Sequence, residues 1–160
     1  LVAHCVDSDE AFSFIDGRLL AMIFAMLAVG EGLENSGAVE MIVNGMAPWM
    51  AGMSPFFLIL TVYCIGMVLT EFLSNNAVAV IYTPVAIHLA QNLGHDPRPF
   101  VVAVMFSATL AFATPVGYQT NMMVYGPGGY RFTDFTKVGL PMNLLIMLVA
   151  STLIPLLWPL

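Results

Sequence analysis

Charge is what this sequence has least of. Only 9% of its 160 residues are charged, 4 Lys+Arg against 10 Asp+Glu, where a soluble domain carries about a quarter. The shortage is also uneven. Between Met41 and His95 lie 55 residues with one formal charge, Glu71; Pro99 to Tyr130 and Val138 to Leu160 have none. Four basic residues cannot supply a surface that tracks phosphates, which excludes a nucleic-acid partner. A 59% hydrophobic composition with mean hydropathy of +0.89 excludes a disordered chain. Uncharged blocks of this length could not be kept in water by the few polar residues left. They argue against a soluble enzyme and put the chain in a lipid bilayer. Cysteine is scarce too. Cys5 and Cys64 make no disulfide framework. His4-Cys5 without a second pair is no zinc spacing, and Cys64, in an apolar run, reads as a small core hydrophobe.

What is present follows from where polarity survives. Asp7, Asp9, Glu10 and Asp16 mark residues 1–17 as a solvated linker. The first residue is Leu1, and no positively charged start with a cleavage site follows it, so the chain is expected to be part of a longer protein. Arg18 to Leu33 is apolar and ends at Glu34, Asn35 and Gly37; sixteen residues reach roughly 24 Å, and a membrane helix is expected over 18–34. Residues 38–51 have apolar positions at helical spacing and carry Trp49, the signature of a helix lying along the membrane interface. Ser54-Pro55 starts a new helix.

Residues 55–91 are apolar except for Ser74-Asn75-Asn76. A single helix of this length would far exceed a bilayer. Ser and Asn compete with helix backbone bonds and favour caps. The expectation is therefore a re-entrant hairpin of two helices, its tip at 74–76. Residues 100–125 form a discontinuous helix. Phe100 to Phe112 reads as regular helix, then Thr114-Pro115-Val116-Gly117-Tyr118-Gln119-Thr120-Asn121 interrupts it, because Pro115 removes a donor and Gly117 adds backbone freedom. Gly126 to Lys137 reads as a loop. Its glycines follow an apolar run instead of a strand and lack the lysine of a phosphate loop. Residues 140–160 are the last span, bounded by Pro141 and Pro159. If 18–34, 100–125 and 140–160 each cross once, Arg18, Arg131 and Lys137 share one face and Arg98 lies on the other. The excess of positive charge puts the 126–139 loop in the cytoplasm. The fold class is all-α membrane protein, with transmembrane helices, a re-entrant helical hairpin and a discontinuous helix.

Broken membrane helices offer free N–H groups and positive dipole ends to an anion, and unwound carbonyls to a cation. Either interruption alone is equally well a helix-contact or kink device; two in one short chain favour a transport site. Glu71 is one turn before Ser74. A membrane acid needs a partner or a wet cavity. Cation attraction, proton coupling, a brace for the tip and a satisfied structural acid all remain open for it. His88 reads as a rim or helix-contact residue. No nucleophile–base pair or metal cluster appears, so no enzyme and no cofactor are expected.

The stretches TEFLSNNAVAVIYTPVAI (Thr70 to Ile87) and ATLAFATPVGYQTNMMVYGPGGYRFTDFTKVGLPMNLL (Ala108 to Leu145) resemble the divalent anion:sodium symporter family, within the ion-transporter group that includes citrate- and arsenite-type carriers. That family carries an S-N-T tip in each of two inverted repeats. This chain resembles the second repeat, from the bacterial permeases that often carry RCK (TrkA-C) domains. The resemblance implies a homodimer of the bacterial inner membrane, completed by an N-terminal repeat of the same protein and working by an elevator-type alternating-access motion. It implies that Ser74, Asn75, Asn76, Thr114, Pro115, Gly117, Thr120 and Asn121 contact the anion. Ser74, Asn75, Thr114 and Gly117 would hold the coupling Na⁺, the only metal implied. Asn76 stands where the family's dicarboxylate carriers have Thr, which leaves sulfate and carboxylate substrates both open. The competing expectations are a proton-coupled or arsenite-type exchanger on the same fold, and a membrane subunit that assembles without transporting.

Overall fold

The computed structural model describes residues 35–159 continuously, together with Ala21, Phe24, Ala25, Ala28, Val29, Glu31 and Gly32, which are helical. The 1–17 linker and much of the 18–34 segment lie outside the described residues. Six helices follow in order: α1 (Ala38–Met50), α2 (Pro55–Thr70), α3 (Asn75–Leu93), α4 (Pro97–Ser107), α5 (Gln119–Tyr125) and α6 (Phe132–Leu157). No strand occurs among the described residues. The protein is all-α.

The centre is the pair α2 and α4. α2 packs against α3, α4 and α6, α4 also packs against α3 and α6, and α1 lies on α3. α2 and α3 form an antiparallel hairpin. Their pairing is visible in Tyr82, whose hydroxyl donates across the hairpin to the Val62 carbonyl at 3.2 Å. The core face of α2 is Leu58, Ile59, Val62, Tyr63, Gly66, Met67 and Thr70, a helical stripe. Cys64 falls off it and is exposed. The sequence expectation of a core cysteine is therefore corrected. α2 is apolar all round, so hydrophobicity alone cannot tell its packed face from its outer one.

Three boundaries differ from expectation. The hairpin turn is Glu71 to Ser74, not 74–76; Asn75 and Asn76 already belong to the first turn of α3. Ser74 is the reason. It is the extended N-cap residue, and its hydroxyl accepts from Ala77 N at 3.2 Å, so the helix begins directly after it. α4 ends at Ser107, and residues 108–118 are unwound, where regular helix to Phe112 was expected. Hydroxyls compete for the terminal carbonyls there: Ser107 donates to Val104 O at 3.0 Å, Thr109 to Phe106 O at 2.8 Å and Thr70 to Ala108 O at 2.7 Å. Ala108 N still donates to Val104 O at 2.9 Å, and beyond it only three-residue turns follow, Thr109 N to Phe106 O and Leu110 N to Ser107 O, each at 3.2 Å; the hydroxyls share these last carbonyls with the backbone.

The last helix starts at Phe132, inside the expected loop. Arg131 N donates to Asp134 Oδ2 at 2.8 Å and Asp134 N to Arg131 O at 3.0 Å, a reciprocal cap that nucleates the helix. Pro141 and Pro155 lie within α6 and do not bound it. α6 has 26 residues, roughly 39 Å at 1.5 Å each, and is the one helix among the described residues long and apolar enough to cross a membrane. Its C-terminal Trp158 lines a cavity with Ile87, Pro97, Arg98, Val101 and Val102. α6 therefore runs antiparallel to α4.

α1 buries Val39, Val43, Ala47 and Met50 against the bundle, a narrower stripe than its sequence suggests. Ile42 is exposed, and Trp49 is 84% exposed. The outer faces of the molecule are apolar as well: Phe72, Val116, Met123, Leu145 and Leu156 are exposed. A water-facing protein does not present so many.

Candidate functional site

The hairpin turn and the unwound stretch lie against each other. The link is Glu71. It is the residue at the C-terminal end of α2, and its carboxylate Oε1 accepts from Ala113 N at 3.0 Å and from Asn143 Nδ2 at 3.1 Å. One acid thus ties α2, the unwound stretch and α6 together. Its other oxygen, Oε2, is buried and has no hydrogen-bond partner among the described residues. Asn143 is 1% exposed, and its Oδ1 is likewise buried without a partner among them.

The unwound backbone is held by side chains in place of a helical ladder. Ala113 donates its N–H to Glu71 and accepts at its carbonyl from Thr136 Oγ1 at 3.1 Å. Asn121 Nδ2 donates to Ala111 O at 2.9 Å and Thr114 O at 3.2 Å, using both of its amide protons. Gly117 N donates to Thr114 Oγ1 at 3.0 Å. The bend is dense at Gly117. A Cβ there would lie 2.9 Å from Ala111 Cβ, 2.9 Å from Glu71 Oε2 and 3.2 Å from Thr114 Oγ1. Glycine is the residue that lets the backbone approach the carboxylate. No hydrogen bond among the described residues reaches the Pro115 or Val116 carbonyl.

The expected site residues are therefore only partly convergent. Thr114, Pro115 and Gly117 sit in the unwound stretch beside Glu71, half-buried, buried and buried in turn. Asn75 is half-buried, with its Oδ1 2.8 Å from the Thr70 hydroxyl, the same hydroxyl that donates to Ala108 O. Asn75 is thus joined to the beginning of the unwound stretch through one side chain. Ser74 and Asn76 are exposed at the turn, and the Ser74 hydroxyl is engaged by its own helix. Asn121 braces the loop from α5. Thr120, also on α5, is exposed and stands apart from this network. α5 buries none of its residues.

Four residues of this network carried no signal that singled them out in the sequence: Thr70, Thr136, Gly139 and Asn143. The last three stand at i, i+3 and i+7, one face of a helix otherwise rich in Leu, Val and Met. That spacing of small and polar residues in an apolar span is the pattern that would have found them. Among the described residues, no group of three or more His, Cys, Asp or Glu could hold a metal ion. The oxygens gathered here are hydroxyls, carbonyls and one carboxylate, a set suited to a hard cation. The N-terminus of α3 at the same turn offers N–H groups and a positive dipole end to an anion.

A discontinuous helix pinned to a hairpin turn, within an apolar helical bundle, is the build of a membrane carrier of solutes. Residues 1–159 match the family described as citrate transporter, and the chain belongs to this citrate transporter-like family, of the divalent anion:sodium symporter kind. It is 37% identical over 158 residues to an uncharacterized transporter of Synechocystis sp., covering 99% of this chain and 26% of that protein. It is 30% identical over 152 residues to sodium/sulfate cotransporter 2 of Chlamydomonas reinhardtii, covering 94% of this chain and 17% of that one. It is 32% identical over 118 residues to the Na(+)/citrate cotransporter of Rattus norvegicus, covering 74% and 20%. The chain spans about a quarter or less of the length of these curated relatives. The family is one of transporters, not enzymes, and membership makes this a membrane protein.

Proposed function

We propose that this chain is the second of two inverted repeats in a sodium-coupled carrier of sulfate or dicarboxylate-class anions. The observation that carries the reading is the bond from Ala113 N to Glu71 Oε1 at 3.0 Å, which fixes unwound backbone beside a hairpin turn at the N-terminus of α3. In this reading Ser74, Asn75 and Asn76 meet the anion from the turn, while Thr114, Pro115, Gly117, Thr120 and Asn121 meet it from the broken helix. Ser74, Asn75, Thr114 and Gly117 hold Na⁺, and no other cofactor takes part. Thr120 has the weakest support, since it is exposed on α5.

The hairpin is re-entrant, α1 lies at the membrane interface, and the stretch over 126–139 faces the cytoplasm from the inner membrane. The N-terminal repeat of the same protein completes the site and covers the exposed apolar faces. The whole protein is a homodimer that moves its anion by an elevator-type shift of the domain carrying the two tips. Neutral Ser, Asn and Thr groups suit this task because they bind both ions without the cost of burying fixed charges.

The test is uptake of labelled sulfate, succinate and citrate by the full-length protein in proteoliposomes, with and without an inward Na⁺ gradient. Uptake of one of them that rises with the gradient, and is competed by its own class, is the expected result. No uptake of any under either condition would leave the non-transporting subunit ahead. Proton coupling is a second reading, motivated by the unpartnered Oε2 of Glu71. Glu71→Gln separates the two: retained uptake with retained sodium dependence removes the proton reading.

A further inference from the structure

We propose that Thr136, Gly139 and Asn143, three residues on one face of α6, are positioning residues that set the cation affinity of the unwound stretch without touching the ion. This rests on the sodium-coupled reading above. Each of the three meets the stretch or its anchor in a different way. Thr136 donates to the Ala113 carbonyl at 3.1 Å. Asn143 donates to the Glu71 oxygen that holds the Ala113 N–H. Gly139 is buried, and a Cβ on it would collide with the Phe112 carbonyl and lie 2.8 Å from Ala113 N.

Both polar groups of the Ala113 backbone are thereby bonded to side chains from distant elements, and Gly139 lets α6 lie flat against the Phe112–Ala113 peptide. Ala113 immediately precedes Thr114. The direction of the Thr114 hydroxyl and of the carbonyls after it follows from where Ala113 is held. A stretch without a helical ladder keeps its geometry only through side-chain bonds; Thr114 and Asn121 hold its later part, and the clamp from α6 fixes it at Ala113. Polar side chains in a membrane helix are costly unless engaged. Asn143 donates to Glu71 Oε1, and the Thr136 hydroxyl lies 3.1 Å from the Ala113 carbonyl and 3.4 Å from that of Phe132, one turn back on its own helix, while Val138, Leu140, Leu144 and Leu145 are exposed and apolar. The same face continues through Met147, Ser151 and Ile154, which pack α6 on the bundle; Thr136, Gly139 and Asn143 are the part of it that meets the unwound backbone and its anchor.

The experiment uses the full-length protein, with the variants Thr136→Val, Thr136→Ser and Gly139→Ala. Two readouts are taken against sodium concentration, with choline as the replacement: thermal stabilisation of the detergent-solubilised protein and uptake in proteoliposomes. Thr136→Val removes the hydroxyl at nearly constant volume. The sodium concentration for half-maximal effect is expected to rise about fivefold, the worth of one hydrogen bond, with near-normal maximal effect and membrane yield. Thr136→Ser restores the wild-type value, which a merely volumetric role would not do. Gly139→Ala shifts it further in the same direction. Thr136→Val with an unchanged sodium midpoint overturns the proposal. A wild-type protein stabilised by sodium that carries none of the anions removes the transport reading alone, because the midpoint shift is still read from the thermal curves.

Discussion

Glu71 and Asn143 stand 72 positions apart, yet the Asn143 side-chain amide donates to Glu71 Oε1 at 3.1 Å. The same oxygen accepts from Ala113 N. The sole charge of a 55-residue block thus joins three elements that the chain visits at widely separated times. Removing it leaves two buried donors without an acceptor, each costing about 1–3 kcal/mol.

Glu71→Ala is therefore expected to lower the unfolding temperature of the detergent-solubilised protein clearly, while Glu71→Gln lowers it little. Glutamine keeps an oxygen for Ala113 and Asn143. Differential scanning fluorimetry of the two variants checks the order. Equal losses would mean that the carboxylate charge, and not its acceptor role, holds the three elements.

Gly117→Ala places a methyl 2.9 Å from both Glu71 Oε2 and Ala111 Cβ, closer than real Cβ contacts come. The carboxylate or the bend must move. Uptake is expected to fall at least about tenfold at normal membrane yield, since near-ångström displacement of a positioned group has effects of that size or larger. Initial-rate uptake normalised to protein measures it.

Asn121 and Thr120 are neighbours with opposite expectations. Asn121→Ala removes donors to Ala111 O and Thr114 O and opens the unwound stretch. Thr120→Ala alters an exposed side chain outside the network. Labelling a cysteine introduced at the exposed position 116, with Cys5 and Cys64 replaced by serine, is expected to speed up several-fold for Asn121→Ala and to stay at the parent rate for Thr120→Ala. If Thr120→Ala alone abolishes uptake, Thr120 touches the anion after all.

Gly66 and Ser107 mark a close approach of α2 and α4. A Cβ on Gly66 would collide with the Ser107 hydroxyl, and both residues are buried. Gly66→Ala is expected to cost about 1–3 kcal/mol by overpacking, and Gly66→Ala with Ser107→Gly to recover part of it. Thermal unfolding of the single and double variants tests the coupling.

Much of the architecture was legible before any coordinates. Trp49 and the periodic apolar positions around it lie in α1, Ser74 caps α3, although that helix was expected only after Asn76, and Pro115 with Gly117 lie in the break. The misreadings have a common origin. Nothing in Ala108-Thr109-Leu110-Ala111-Phe112 forbids a helix, yet α4 stops at Ser107, where hydroxyls from Thr70, Ser107 and Thr109 share the last carbonyls and the backbone bonds tighten to three-residue turns. Pro141 looked like a boundary and proved to be interior, because the Arg131–Asp134 cap had already started the helix. Cys64 looked buried because α2 is apolar on every side.

The sequence by itself determined the membrane class, the helical content and the two places where neutral polarity interrupts apolar runs. Those are consequences of composition and spacing, which act locally and along the chain. Tertiary structure alone decided that Glu71 is the joint, that Ala113 is gripped at both its N–H and its carbonyl, and that Thr136, Gly139 and Asn143 share one face toward it. Those contacts span 23, 42 and 72 positions. A hydrogen bond is made at about 3 Å, and which distant groups arrive within that distance depends on how the helices pack.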